Sequence, residues 1–65
     1  MLKLYVDKVR IKKGMSIRDL AARARISKSH VQRIEAGETM PSLEVMCRIA
    51  KALDVPITEL FSFEG

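Results

Sequence analysis

The chain has 65 residues and a formal net charge of +4, and 48% of its side chains are hydrophobic but only 5% aromatic. This length predicts a single domain over residues 1–65. Such a domain is only marginally stable alone, because folding buries about 60% of the surface of the unfolded chain, and a dimer partner would help. No apolar run approaches the roughly 20 residues of a membrane span, and the start lacks the apolar region of a signal peptide. We therefore expect a soluble cytoplasmic protein with no membrane partner.

The chain contains one cysteine and one histidine, and this limits metal and redox chemistry. A secreted domain of this size usually carries several cysteines, so the count again favours an intracellular protein. One Cys and one His cannot build a zinc site within the chain, and we expect no metal and no cofactor. Cys47 falls at helical spacing with Leu43 and Ala50, which predicts a small buried hydrophobe.

The charges are divided unevenly along the chain. Residues 1–33 contain ten Lys and Arg against two Asp, whereas residues 34–65 contain two basic and six acidic side chains. Such an asymmetry is typical of a protein with one face that binds a polyanion. The alternative is that the charges only keep a small helical domain soluble.

Residues 2–13 are predicted to form the first helix, because Leu2, Val6 and Val9 lie along one side of it. Several of its residues are β-branched and form helices poorly, so packing against the rest of the domain must hold this element. Gly14 supplies the residue at which the helix ends.

The stretch from Ser16 to Gly37 has the pattern of two short helices joined by a tight turn. Ser16 and Ser27 precede the two helices and can cap their free amides. Apolar side chains share one face of each helix, namely Leu20, Ala21 and Ala24 in the first and Val31 and Ile34 in the second. Gly37 then suits the left-handed end of the second helix. This pattern predicts a helix-turn-helix that presents its second helix to a groove.

Two further helices are predicted after a loop that includes Pro41. Ser42 caps a fourth helix that runs from Leu43 to about Asp54. Its predicted apolar stripe consists of Leu43, Met46, Cys47, Ala50 and Leu53. Pro56 suits the first turn of a short fifth helix, whose inner face would be formed by Ile57, Leu60 and Phe61.

Taken in order, a set of residues across positions 6 to 61 resembles one known family. The set comprises Arg10, Gly14–Ser16, Leu20–Ala21, Ile26–Ser27, Arg33–Glu35, Gly37, Pro41–Leu43, Ile49–Leu53 and Glu59–Phe61. It resembles the Cro/C1-type helix-turn-helix family of phage repressors and bacterial xenobiotic-response-element-like regulators. The resemblance implies an all-α, lambda-repressor-like domain of five helices, with the third helix in the DNA major groove and usually a dimer on a pseudo-palindromic operator.

Two residues depart from the family pattern. Arg25 lies in the turn where the family often has Gly, and a left-handed conformation there costs on the order of 1 kcal/mol relative to Gly. The compensating gain would be a contact with a DNA phosphate. Ile17 stands where the family frequently has a Gln that touches the DNA backbone; Ile can instead contact a thymine methyl group or a neighbouring helix.

The polar face of the predicted third helix supplies the candidate base-reading residues, at positions that the family uses for this role. They are Lys28, Ser29, Gln32 and Arg33. Lys28 can donate to guanine, Gln32 can bond adenine through two atoms, and Arg33 can bind guanine or a phosphate. The alternative for each is a solvated helix face. His30 lies nearer the apolar side and is expected to pack or to contact backbone, with a phosphate contact as the alternative.

The remaining candidate residues have supporting roles. Contacts with the DNA backbone are expected from Ser16, Arg18, Arg25, Ser27 and Thr39. The resemblance implies a structural ion pair between Arg10 and Glu35, which would join the first helix to the third. An apolar patch is expected to form the dimer interface, with Ile57, Leu60, Phe61 and Phe63 as its members. Pairing of the two chain ends as strands across that interface stays open.

These observations predict a sequence-specific double-stranded-DNA-binding transcriptional regulator that acts as a homodimer and is associated with the nucleoid. We expect no enzymatic activity, since no cofactor loop, metal cluster or acid–base pair is visible in the sequence. Within the class, an antitoxin-like autoregulator or a restriction-modification controller is an alternative. Outside it, the alternative is a protein-interaction module that has the fold but does not read bases.

Overall fold

A computed structural model describes all residues from 1 to 65 and contains four α-helices and a two-stranded sheet. In chain order the elements are β1 (Leu2–Leu4), α1 (Val6–Lys12), α2 (Ile17–Ala24), α3 (Lys28–Glu35), α4 (Leu43–Leu53), a 3₁₀ turn (Ile57–Glu59) and β2 (Phe61–Phe63). The predicted class, a compact helical domain with a central helix-turn-helix, is confirmed. The fifth helix, however, is only a single 3₁₀ turn. None of the helices has the length and apolar character needed to cross a membrane.

Serine side chains fix where three of the helices begin. The Oγ atom of Ser16 accepts a hydrogen bond from the amide of Asp19 at 3.0 Å, and Ser27 does the same for His30 at 3.0 Å. Ser42 caps α4 through the amide of Val45 at 3.1 Å. Each bond satisfies one of the amides that a helix start leaves free, and the three predicted caps are confirmed.

The helices end in two different ways. Gly14 and Gly37 have positive φ angles of 68° and 77° after α1 and α3, a conformation that costs glycine little. By contrast α2 and α4 end at Arg25 and Asp54, whose φ angles of 59° and 57° place non-glycine residues in the left-handed region. Both residues therefore hold backbone strain that a glycine would relieve.

The core lies between α2, α3 and α4 and consists only of hydrophobic side chains. Its fully buried members are Val6, Leu20, Ala21, Ala24, Val31, Ile34, Met46, Ile49, Ala50, Leu53 and Leu60. α2 packs against both α3 and α4 and holds the centre of the domain. The apolar faces predicted for the two helices of the helix-turn-helix are therefore the faces that the fold buries.

The first predicted helix is wrong at its start, because residues 2–4 form a strand. β1 pairs antiparallel with β2, and Lys3 lies opposite Ser62. The hydroxyl groups of Tyr5 and Ser62 lie 2.6 Å apart and hold the strands together at one end. At the other end the Met1 ammonium donates to the carbonyl of Glu64. The strand forms because a partner from the far end of the chain satisfies its backbone groups.

The apolar stripe predicted for α4 is rotated relative to the one observed. Cys47 is exposed rather than buried, and Leu43 is 75% exposed. Ile49 is fully buried in their place, together with Met46, Ala50 and Leu53, which the predicted stripe contained. Because α2 packs against α4, its position selects the buried face.

Candidate nucleic-acid interface

The four candidate base-reading residues lie together on the solvent face of α3. Lys28, Ser29, Gln32 and Arg33 are all exposed, while Val31 and Ile34 on the opposite side are buried in the core. The helix has eight residues. An α-helix is about 10–12 Å in diameter with its side chains, and a DNA major groove about 12 Å wide admits one. The fold therefore presents these side chains as one surface, which we call the reading face.

The positive charge around the reading face has no internal partner. Ion pairs in the structure join Lys3 to Glu64, Arg10 to Glu35 and Arg48 to Glu44, and no cation of α2 or α3 takes part in them. Lys28 and Arg33 on the reading face, and Arg18 and Arg25 elsewhere in the helix-turn-helix, are exposed and form no ion pair. Arg25 lies next to Arg48 and Lys51 of α4. Unneutralised cations produce a field that attracts a polyanion.

The serines that cap α2 and α3 each retain a free hydroxyl proton. The oxygen atoms of Ser16 and Ser27 accept bonds from their own helices, so each hydroxyl hydrogen remains available to a phosphate oxygen. Both residues are exposed, as is Arg18 in the first turn of α2, and Thr39 lies half-buried in the loop after α3. Thus the candidate backbone contacts flank α3 in the chain.

His30 and Ile17 occupy intermediate positions. His30 is half-buried, and its amide donates to Ser27, so the residue contributes to the start of α3. Ile17 is also half-buried and packs against the core. Of the two contacts considered for Ile17, the structure shows the one with neighbouring helices.

Arg10 and Glu35 form a close ion pair between α1 and the end of α3. The Nε atom of Arg10 donates to Oε2 of Glu35 at 2.7 Å, and a second guanidinium nitrogen donates to Oε1 at 3.2 Å. The third guanidinium nitrogen donates to the carbonyl of Met15 at 2.9 Å. The two side chains are only 14% and 11% exposed. One arginine thus ties together α1, the loop before α2 and the helix that carries the reading face.

This pair also affects the protonation of the arginine. The hydrogen bond with Glu35 raises the pKa of the Arg10 guanidinium, while burial opposes the shift. A pKa that is higher in the folded state gives stability at every pH below the unfolded pKa, and that stability is lost only as the pH rises through the folded value. Arginine titrates far above neutral pH, so its charge is fixed throughout the physiological range.

The residues predicted for the dimer interface are divided between core and surface. Leu60 is wrong as a surface residue, because it is fully buried and closes the core beneath the sheet. Ile57 and Phe61 are half-buried along a groove of about 270 Å³, and Phe63 is 72% exposed. Leu60 therefore lies where the inner face of the predicted fifth helix placed it, and the expected patch loses one of its four members.

Other members of this exposed apolar surface were not predicted from the sequence. Leu2, Met40 and Leu43 join Phe61 along the groove, and each is exposed. The alternation of Leu-Lys-Leu at residues 2–4 and Phe-Ser-Phe at residues 61–63 is the signal that was available, because a period of two is typical of strands. We call this surface, formed by Leu2, Met40, Leu43, Phe61 and Phe63, the apolar end.

Comparisons with known proteins agree with this geometry. The HTH-type transcriptional regulator SlrR of Bacillus subtilis (strain 168) is 38% identical over 65 residues, which cover 98% of this chain and 40% of that protein. The chain therefore spans less than half the length of this relative.

Three solved structures share the fold. The restriction-modification controller protein C.AhdI from Aeromonas hydrophila superposes with a TM-score of 0.81 and 31% identity, covering 83% of this chain and 82% of that one. The clp gene regulator ClgR from C. glutamicum gives 0.80 and 26%, with coverage of 83% and 70%. The restriction-modification controller protein C.Esp1396I gives 0.78 and 26%, with coverage of 83% and 73%.

A model of the helix-turn-helix family matches residues 6–60, which include all four α-helices and the 3₁₀ turn. The same residues hold the serine caps, the Arg10–Glu35 pair and the exposed face of α3. The chain therefore belongs to the helix-turn-helix family of the Cro/C1 type.

Proposed function

We propose that this protein is a sequence-specific double-stranded-DNA-binding transcriptional regulator, a single domain that binds an operator as a cytoplasmic homodimer. The observation that carries the proposal is the reading face, where four polar side chains of α3 are exposed and the two cations among them, Lys28 and Arg33, form no ion pair. The relative and the structural neighbours are named as regulators and controllers, which supports the same role.

Each residue of the reading face has a distinct task in this proposal. Lys28 donates to the O6 and N7 atoms of guanine, and Gln32 bonds adenine through its amide. Arg33 binds guanine or a phosphate, and Ser29 serves a donor or an acceptor edge. Phosphate contacts come from Ser16, Arg18, Arg25, Ser27 and Thr39, and they position α3 without reading sequence.

Control of a restriction-modification system is a second candidate within the same class. Two of the three structural neighbours are restriction-modification controllers, and one of them covers more than four fifths of both chains. Both candidates require specific binding to DNA, so the first experiment is common to them.

That experiment is the selection of bound duplexes from a random DNA library at near-physiological salt. We expect enrichment of an inverted repeat whose half-sites are about 34 Å apart, one helical turn. On the enriched site, a plot of log affinity against log salt concentration should fall with a slope of about −0.9 for each phosphate neutralised. Recovery of unenriched DNA would rule out sequence-specific binding and favour a protein-interaction module.

A substitution in the turn separates stability from binding. We expect Arg25→Gly to raise the free energy of unfolding by up to about 1 kcal/mol, because glycine adopts the left-handed conformation without strain. The same change should weaken DNA binding and reduce the salt slope by about one phosphate. Thermal melts and titrations at several salt concentrations measure the two effects.

Asp54→Gly is the matched control, because Asp54 has nearly the same φ angle but ends α4. We expect it to stabilise the fold by less, because Asp enters the left-handed region more readily than Arg, and to leave the salt slope unchanged. Equal slopes for Arg25→Gly and the parent protein would assign Arg25 no phosphate contact.

A further inference from the structure

The backbone of the small sheet leaves one edge of each strand open. Backbone hydrogen bonds join Tyr5 to Leu60 at one end of the sheet and Glu64 to Met1 at the other. Lys3 and Ser62 lie opposite each other, midway between these two pairs. Because hydrogen-bonded and non-hydrogen-bonded pairs alternate in an antiparallel sheet, Phe61 and Phe63 direct their amides and carbonyls away from β1. These groups have no partner among the backbone hydrogen bonds of turns and loops.

The open edge of β2 is complementary to itself. Its sequence, Phe-Ser-Phe, reads the same in both directions about Ser62. If a second copy pairs antiparallel with this edge, with the two Ser62 residues opposite each other, Phe61 of each copy lies opposite Phe63 of the other. Both of these Phe61–Phe63 pairs would be hydrogen-bonded pairs. Directly opposed aromatic side chains are among the favourable cross-strand pairs. No charged side chain lies at the centre of this register.

The open edge of β1 lacks this property. A copy paired with it about its centre would set Lys3 directly against Lys3, and like charges in that position are destabilising. A lysine in an edge strand is also a common means of preventing such pairing. The ion pair between Lys3 and Glu64, 2.7 Å long, meanwhile neutralises the acidic residue that follows β2. Charge therefore blocks one edge and leaves the other open.

We propose that two copies of this protein associate through the β2 edge, forming a four-stranded sheet β1–β2–β2–β1 whose two-fold axis passes through Ser62. The inference rests on the homodimer of the proposed function and specifies its interface. Phe63, which is 72% exposed, then packs beside Phe61 of the second copy at the apolar end.

The area available to this contact is small. An aromatic side chain buries about 150–250 Å² in full, whereas stable interfaces bury about 800 Å² on each partner. A three-residue strand with one half-buried and one exposed phenylalanine on each copy supplies far less than this area. The dimer is accordingly weak in free solution and forms mainly on DNA, where the two half-sites hold both copies side by side.

A disulfide test locates the axis. In a Cys47→Ser background, Ser62→Cys should give a disulfide-linked dimer under mild oxidation, because residues opposite each other in a non-hydrogen-bonded pair have Cα atoms about 4.5 Å apart, within disulfide range. Glu64→Cys in the same background is the control, since the two copies of residue 64 would lie about 13 Å apart along the strands. Both variants are examined free at high concentration and on the inverted repeat.

A second variant removes donors without disturbing the monomer. Phe63→Pro lacks the amide that faces the open edge, and proline is tolerated at that side of an edge strand. We expect it to weaken binding to the full inverted repeat by about tenfold, because two of the four intermolecular hydrogen bonds are lost. Phe63→Ala, which keeps the amide, should weaken it less, and binding to an isolated half-site should be unchanged for both variants.

The outcomes separate the interface from the function. If the residue 62 and residue 64 variants cross-link equally and still bind an inverted repeat as dimers, the β2 edge is not the interface, but the proposed regulatory function is unaffected. If cross-linking is selective for residue 62 but the protein shows no sequence preference in DNA, the interface is supported and the proposed regulatory function is ruled out. Selective cross-linking together with specific binding supports both.

Discussion

Replacement of Glu35 by Gln is expected to lower the free energy of unfolding by about 3 kcal/mol, because it leaves the buried charge of Arg10 without a counter-ion. The pair is bidentate and both side chains are largely buried, so that water cannot take over the lost interaction. In a domain of this size the melting temperature should fall by roughly 10–25 °C. Thermal unfolding followed by circular dichroism measures the change.

Glu44→Gln is the matched control for this prediction. Glu44 forms an ion pair of the same 2.7 Å length with Arg48, but its side chain is 74% exposed and that of its partner 46%. An exposed i,i+4 pair contributes only about 0.3–0.5 kcal/mol. Similar melting temperatures for the two variants would show that burial does not make the Arg10 pair important, and the structural role assigned to it would be wrong.

The second large effect is expected on DNA. Lys28→Ala and Gln32→Ala should each reduce affinity for the selected operator by roughly 5- to 150-fold, since a base contact is worth about 1–3 kcal/mol. Each should also relax the preference at one base pair, which titrations against operators changed one position at a time will reveal. Neither side chain contacts the core, so the thermal stability should stay close to that of the parent protein.

Lys51→Ala separates base reading from general attraction. It removes the same charge as Lys28→Ala, but from the exposed side of α4. We expect a small, sequence-independent loss of affinity. If both lysine variants lose affinity equally on all duplexes, α3 binds DNA by charge alone and the reading face has no sequence preference.

The helix-turn-helix was predictable because its signals are local. Ser16, Ser27 and Gly37 mark helix ends through bonds or angles that involve only near neighbours in the chain. The buried faces of α2 and α3 follow from side chains three and four residues apart. Every boundary in this region agrees with the sequence to within one or two residues.

The face of α4 was not predictable to the same degree. Met46, Ala50 and Leu53 of the predicted stripe are buried, but its other two members, Leu43 and Cys47, are exposed, and Ile49 is buried instead. Both edges of the stripe are apolar, so the helical spacing alone does not decide between them. The packing of α2 against α4 selects the edge that contains Ile49.

The terminal strands and the surface they create depend on contacts across the whole chain. Tyr5 and Ser62 are 57 residues apart, so no window of the sequence contains both. Leu2 also fitted the apolar side of a helix with Val6, and this helical period concealed the strand. The exposed residues of α3 were predicted as a set, whereas the apolar end could not be assembled from the sequence because three of its members come from distant segments.

The pairing of the chain ends has a further consequence for how the molecule opens. Closing a loop of nearly the whole chain carries a large entropic cost, whereas α2 and α3 meet across a turn of three residues. The sheet is therefore the last part to form and the first to separate in native-state fluctuations. Such a local opening would remove the β2 edge and the apolar end while α3 keeps its shape. Under the proposed function, a single copy would then still dock on one half-site, and the coupling between half-sites would disappear with the sheet.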